Sequence, residues 1–241
     1  MKEKKFGLVG KNISYSFSKK YFTEKFNKLF LRDHSYDVFD LQDIKHIPEI
    51  LNQENLVGFN VTIPYKEQII PFLDELSDEA TAIGAINTVV LKDGKTKGFN
   101  TDAFGFEKTL LLHKKAHHQA AIILGDGGAA KAVKYVLDKH NIPYITVARK
   151  SEINFDNLNA QQVAEHQLII QCTPVGTFPN VDDCVNFPFE GINQEHLIID
   201  LIYNPEYTTF IKKAYEHGAK CVNGYFMLEQ QAEKAWEIWN F

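Results

Sequence analysis

In the first part of the chain, short apolar runs alternate with stretches whose apolar residues recur every three to four positions. Residues 6–10 predict a buried strand that ends in glycine. Phe22, Phe26, Leu29 and Phe30 then supply one apolar helical face. Tyr36, Val38 and Asp40 alternate as in a strand, and 44–51 reads as helical despite Pro48. Residues 56–63 read as a strand stopped by Pro64, and 66–73 and 78–83 as short helices. Segments 86–91 and 97–99 flank Asp93 and Gly94, a pair suited to the positive φ angles of a tight hairpin.

A different rhythm begins near 100–102. Strand-like runs at 120–125, 144–148, 168–171, 197–201 and 220–222 are separated by segments of helix length. Among these, 103–113, 129–140 and 208–217 carry helical patterns. Strands spaced in this way imply crossover connections and a parallel sheet. A last amphipathic helix, 227–239, places Leu228, Ala232, Ala235, Trp236 and Trp239 on or near one face.

Composition narrows the picture. The 241 residues are 44% hydrophobic and 24% charged, which argues for a folded chain of one large or two modest domains. A net charge of −5 with no long basic block argues against nucleic acid. Cys172, Cys184 and Cys221 form no CxxC pair, so a disulfide framework and a cysteine zinc site are not expected, and a reducing compartment is. The first residues lack the apolar core of a secretory signal, and no stretch is long enough to span a bilayer. The expected location is the cytoplasm.

Residues 124–130 join a predicted strand to a predicted helix and place Gly125, Gly127 and Ala130 in a Gly-x-Gly-x-x-Ala spacing. The first glycine permits the turn, the second admits a pyrophosphate, and the small third residue lets helix and strand pack closely. The amides of Gly128 and Ala129 open the helix toward phosphate. Asp126 puts an acid in this anion-binding turn, so its side chain is expected to point away and bond local backbone. At the end of the next strand an NAD site usually carries an acid for the ribose 2′-hydroxyl. Here Arg149 and Lys150 follow instead, which suits the 2′-phosphate of NADP.

The first half offers clusters of neutral donors. Ser14, Ser16 and Ser18 alternate, so an extended segment would point them the same way; Ser18 is also a candidate N-cap. Asn60, Thr62 and Lys66 gather at a strand end, Asn87 lies just inside another strand, and Asn100, Thr101 and Asp102 precede a helix. One lysine and one carboxylate among amides and hydroxyls suit a small polyhydroxylated acid, and Lys66 and Asp102 could handle a hydroxyl proton during hydride transfer.

Taken in order, segments 14–18, 60–66, 84–88, 100–105, 125–130, 172–176, 200–205 and 224–231 resemble the shikimate dehydrogenase family over essentially the whole length. The resemblance implies an α/β fold: a substrate-binding domain, 1–101, and a doubly wound Rossmann-type NADP-binding domain, 102–224. The last helix, 225–241, returns to the first domain. It implies NADP-linked interconversion of shikimate and 3-dehydroshikimate, on the route to chorismate and aromatic amino acids, by a monomer or homodimer.

By the same resemblance Lys66 and Asp102 are the catalytic pair, and Ser16 and Ser18 hold the substrate carboxylate. Thr62, Asn87 and Gln231 bond ring hydroxyls, with Asn60 beside them. Tyr203 and Gly224 line the junction of substrate and nicotinamide, and Met227 lies near the nicotinamide. Tyr15, Lys19, Gln171, Thr177, Phe226 and Ala148 depart from the usual pattern.

The competing readings are an NAD-using quinate or shikimate dehydrogenase, which an acid or neutral residue at Arg149 would favour, and a non-catalytic metabolite sensor on the same scaffold, which loss of Lys66 would favour. No metal is expected. His113, His117 and His118 fall in a lysine-rich stretch read as surface, without an HExxH spacing. Cys172 reads as a buried strand-end thiol rather than a nucleophile.

Overall fold

The computed structural model describes residues 3–13 and 17–240. The chain forms two compact units, residues 1–101 with 232–241, and residues 102–231.

The first unit is built on a six-stranded mixed sheet. β1 (Lys4–Gly10) lies between β2 (His34–Asp40) and β3 (Leu56–Val61), parallel to both. β4 (Glu75–Leu76) is an edge strand of two residues, too short to be seen as a pattern. β5 (Thr88–Lys92) and β6 (Lys95–Phe99) form the expected hairpin, with Asp93 at φ 52° and Gly94 at φ 75°. β5 pairs antiparallel with β3, and β4 runs parallel to β6.

α1 (Phe17–Lys28) buries Phe22 and Phe26 but ends before the rest of its predicted apolar face. Phe30 takes φ 56°, the Leu31 amide returns to the Phe26 carbonyl at 2.9 Å, and the Phe30 side chain is left 83% exposed. A left-handed residue closes the helix there. α2 (Ile47–Leu51) follows a single 3-10 turn, and Pro48 sits in its first turn, where a missing N–H costs nothing. The helix expected over 66–73 is absent; turns and a short 3-10 segment at 70–72 replace it. Pro71 removes an amide that such a helix would need. α3 (Asp78–Ile83) forms as expected, capped by Ser77, whose hydroxyl accepts from the Ala80 amide at 3.1 Å, and by left-handed Gly84.

The second unit is a five-stranded sheet, parallel throughout. α4 (Asp102–His113) leads into β7 (Ala121–Leu124), α5 (Gly128–Lys139) and β8 (Tyr144–Val147). α6 (Ala160–Glu165), opened by a capping box between Asn159 and Gln162, is a short helix that the apolar spacing did not announce. β9 (Leu168–Gln171), β10 (Leu197–Asp200), α7 (Thr209–Glu216) and β11 (Lys220–Val222) complete the unit. Strand order is β11-β10-β9-β7-β8, so the winding reverses between β7 and β9. Ligands of doubly wound sheets bind beyond the carboxyl ends of the strands at such a reversal. Among the described residues no helix is long and apolar enough to cross a membrane.

α8 (Tyr225–Trp239) begins in the second unit and contributes its last turns to the first. There Trp239 packs with Phe6, Phe22 and Tyr36, and its indole N–H donates to the Val89 carbonyl at 2.9 Å. Gly58 lies under the indole, where any Cβ would collide.

Candidate active site

In the first unit the polar residues converge on the carboxyl end of β3 and the turns beside it. Asn87 is 4% exposed and is the organising group. Its Oδ1 accepts from the Thr101 amide at 2.6 Å, and its Nδ2 donates to Thr101 Oγ1 at 3.0 Å. Thr88, also buried, donates to Asn87 Oδ1 at 3.2 Å. Asn60 Nδ2 donates to the Asn87 carbonyl at 3.2 Å and to Thr88 Oγ1 at 3.1 Å. The Lys66 carbonyl accepts from the Ile86 amide at 2.7 Å, so the loop that carries Lys66 is tied to the residue before Asn87. The Thr62 amide donates to the Val9 carbonyl at 2.9 Å. Asn100 Nδ2 donates to the Ala85 carbonyl at 2.8 Å.

Ser16 and Ser14 lie outside the described residues. Ser18 is not on an extended segment and is not the N-cap; it sits in the first turn of α1, whose apolar face buries Phe22 and Phe26. Its hydroxyl bonds the phenol of Tyr36, a residue that alternation placed in a strand and nothing in the sequence marked as polar machinery.

In the second unit the glycine turn fits a pyrophosphate. Gly125 takes φ 107°, and a Cβ there would press on Thr173 and the Cys172 backbone, so the turn closes against β9 at the winding reversal. Gly127 is the N-cap of α5 without any side-chain cap bond, and a Cβ there would meet nothing within 4 Å. The space beside Gly127, at the head of α5, leaves room for a phosphate oxygen to approach the first amides of the helix. Ala130 is buried against the sheet. Asp126 does not bond local backbone as expected; its Oδ1 lies 2.5 Å from Lys134 Nζ. An ion pair outweighs a backbone bond here because α5 carries a cation within reach. Arg149 and Lys150 are exposed in the turn after β8, next to β7 in the sheet.

Asp102, 2% exposed, is the first residue of α4 rather than its N-cap, so its carboxylate meets the positive end of a twelve-residue helix. Gly105, one turn on, is where α8 crosses: a Cβ would lie 2.6 Å from the Met227 carbonyl and 2.9 Å from Gln231 Cγ. Only glycine lets Met227 and Gln231 come this close to the helix headed by Asp102. Gly224 is equally confined: a Cβ there would run into the Leu201 carbonyl, and its amide donates to the Ile202 carbonyl at 2.9 Å.

Asp200, at the end of β10, holds the loop that bears Tyr203. Its carboxylate accepts from the Ile202 amide at 3.0 Å and the Thr208 hydroxyl at 2.6 Å. Burial pushes its pKa up to about 6, although both bonds oppose the rise. Tyr203 is part-buried, which raises its phenol pKa. Gln171 closes the next turn, its Oε1 accepting from the Thr173 amide at 2.8 Å.

Among the described residues no three His, Cys, Asp or Glu side chains are grouped to hold a metal. His118 is buried, not on the surface, and its ring bonds the Glu195 carbonyl at 3.1 Å; desolvation drives its pKa down to about 4. Burial drives the Cys172 thiol up, away from a nucleophilic thiolate.

The family described as the shikimate dehydrogenase substrate binding domain matches residues 8–89. The shikimate dehydrogenase (NADP(+)) of Desulforamulus reducens is 34% identical over 97% of this chain and 88% of its own length. The crystal structure of shikimate dehydrogenase from Aquifex aeolicus covers 99% of this chain and 92% of its own, with TM-score 0.88 and 32% identity. That of the Thermus thermophilus enzyme, in complex with NADP(H) and shikimate, covers 98% and 93%, with TM-score 0.87 and 29% identity. At this identity over nearly its full length, the chain belongs to the shikimate dehydrogenase family.

Proposed function

We propose that this protein is an NADP-dependent shikimate dehydrogenase that reduces 3-dehydroshikimate to shikimate, reversibly. The observation that carries the reading is the open glycine turn at the β7/β9 reversal with Arg149 and Lys150, not an acid, after β8. The amides of 127–130 take the pyrophosphate, and the Arg149 guanidinium meets the 2′-phosphate with paired donors while Lys150 adds charge. Gly224 and Met227 border the nicotinamide. NADP, when bound, accepts or returns the hydride.

Thr62, Asn87 and Gln231 bond the ring hydroxyls, and Asn60 and Tyr203 complete the set of substrate-binding residues. Ser16 and Ser18 hold the carboxylate. Lys66 and Asp102 handle the proton. In the oxidative direction the hydroxyl proton would leave its oxygen toward this pair as the hydride leaves the carbon that bears the hydroxyl, forming the carbonyl, and an ammonium at Lys66 would stabilise the oxygen as it gains charge.

The test follows the absorbance of reduced nicotinamide with shikimate and with quinate, each against NADP and NAD. Turnover of shikimate with NADP well above the other three combinations supports the reading. Preference for quinate with NAD replaces it, and no turnover with any pair favours a binding protein.

A further inference from the structure

The acid in the glycine turn is not a neutral passenger. Asp126 follows Gly125 directly and stands at the mouth of a helix that otherwise offers only amides. Its charge would repel a pyrophosphate a few ångströms away. Lys134 lies two turns further along α5, on the stretch between turn and sheet edge, and its ammonium reaches back to 2.5 Å from Asp126 Oδ1. The lysine side chain is 25% exposed and the aspartate 51%, so the cation is held against the protein while the acid stays at the rim.

We propose that Lys134 is a positioning residue for the cofactor: it holds the Asp126 carboxylate along the flank of α5, cancels its charge, and leaves the turn amides to the pyrophosphate. The inference rests on the dinucleotide reading given above. It makes the turn's anion affinity conditional on a residue eight positions away.

The experiment titrates the full-length protein with NADPH by fluorescence, independently of turnover, at low and high salt. Wild type is compared with Asp126→Ala, Lys134→Met, Lys134→Arg and the Asp126→Ala/Lys134→Met double variant, with melting curves for each. Lys134→Met should weaken NADPH binding by about three- to tenfold at low salt and less at high salt, the range for one uncompensated charge at a partly exposed site. Lys134→Arg should bind as wild type. Asp126→Ala should bind at least as tightly as wild type, and the double variant should return to within about twofold of Asp126→Ala. A Lys134→Met variant with unchanged affinity overturns the proposal. So does a double variant as weak as Lys134→Met, which would put Lys134 on the phosphate itself. A wild-type protein without saturable NADPH binding overturns the dinucleotide reading, and this inference with it.

Discussion

The Tyr36 hydroxyl donates to Asn60 Oδ1 at 2.8 Å, reaching across β1, which separates their two strands. Asn60 is thereby oriented, with its oxygen toward Tyr36 and its amide protons toward the Asn87 carbonyl and Thr88. Burial raises the phenol's pKa well above its ordinary value, so Tyr36 stays neutral and keeps its proton for Asn60, while Ser18 bonds the same oxygen from the other side. One buried phenol thus joins the two ends of the proposed substrate site.

Tyr36→Phe keeps the ring packing and deletes the relay. It should cost about 0.5–1.5 kcal/mol of stability, the usual net worth of one such bond. The Michaelis constant for shikimate should rise while that for NADP stays put. A shift confined to the cofactor constant would show that the relay does not serve the substrate.

Lys66→Ala tests the proton-handling role. The loop around Lys66 is held through its backbone carbonyl, so truncating the side chain leaves the fold in place. Turnover should fall by about two to four orders of magnitude, as for loss of a general acid–base group, with little change in shikimate affinity. A folded variant with near-normal turnover would move the proton to another group.

Arg149→Ala tests the cofactor. Arg149 is exposed in its turn, so nothing structural is lost with it. The preference for NADP over NAD should collapse through the NADP Michaelis constant, by about tenfold to a hundredfold for a charge-assisted contact. Added salt should weaken the wild-type preference, because the contact is ionic and solvent-facing. Equal damage to both cofactors would reduce Arg149 to a solvated strand-end residue.

Much of this was legible in the sequence because it is local. The glycine turn occupies six consecutive residues between a strand and a helix, and the parallel sheet follows from strands spaced by helix lengths. Asp93 and Gly94 marked their hairpin for the same reason. What escaped depends on tertiary contact. Tyr36 and Asn60 are partners only because β1 inserts between their strands. Lys134 and Asp126 are only eight residues apart, yet they meet only once α5 forms and the lysine side chain turns back toward the glycine turn. Phe30 had the right spacing for α1 but itself takes a left-handed conformation that ends the helix, which spacing cannot foresee. Asp200 opens segment 200–205, but only Tyr203 of that segment was given a role, since the part Asp200 plays comes from being buried.

That burial yields a pH prediction. The folded-state pKa of Asp200 is about 6, against 3.8 for the ordinary side chain. A raised pKa in an acid means the folded state binds the proton more tightly than the unfolded state does. Below about pH 4 both states are protonated and Asp200 costs nothing; as pH rises toward 6 the unfolded state ionises first and stability falls. Above 6 the full penalty applies, on the order of 3 kcal/mol at 1.36 kcal/mol per pKa unit. Asp200→Asn cannot ionise, and its carbonyl can still accept from the Ile202 amide. The variant puts an NH2 group where Asp200 Oδ2 accepts from Thr208, and loss of that bond is expected to leave it below the neutral wild-type side chain in acid. Its deficit should shrink, or reverse, as pH rises to about 7.5, because wild type alone carries the ionisation cost. Urea unfolding of both proteins across this range reads the difference directly. A difference that is flat with pH would mean that Asp200 titrates at its ordinary value, and one that widens on going alkaline would mean that its pKa is lowered by folding; either result overturns the prediction.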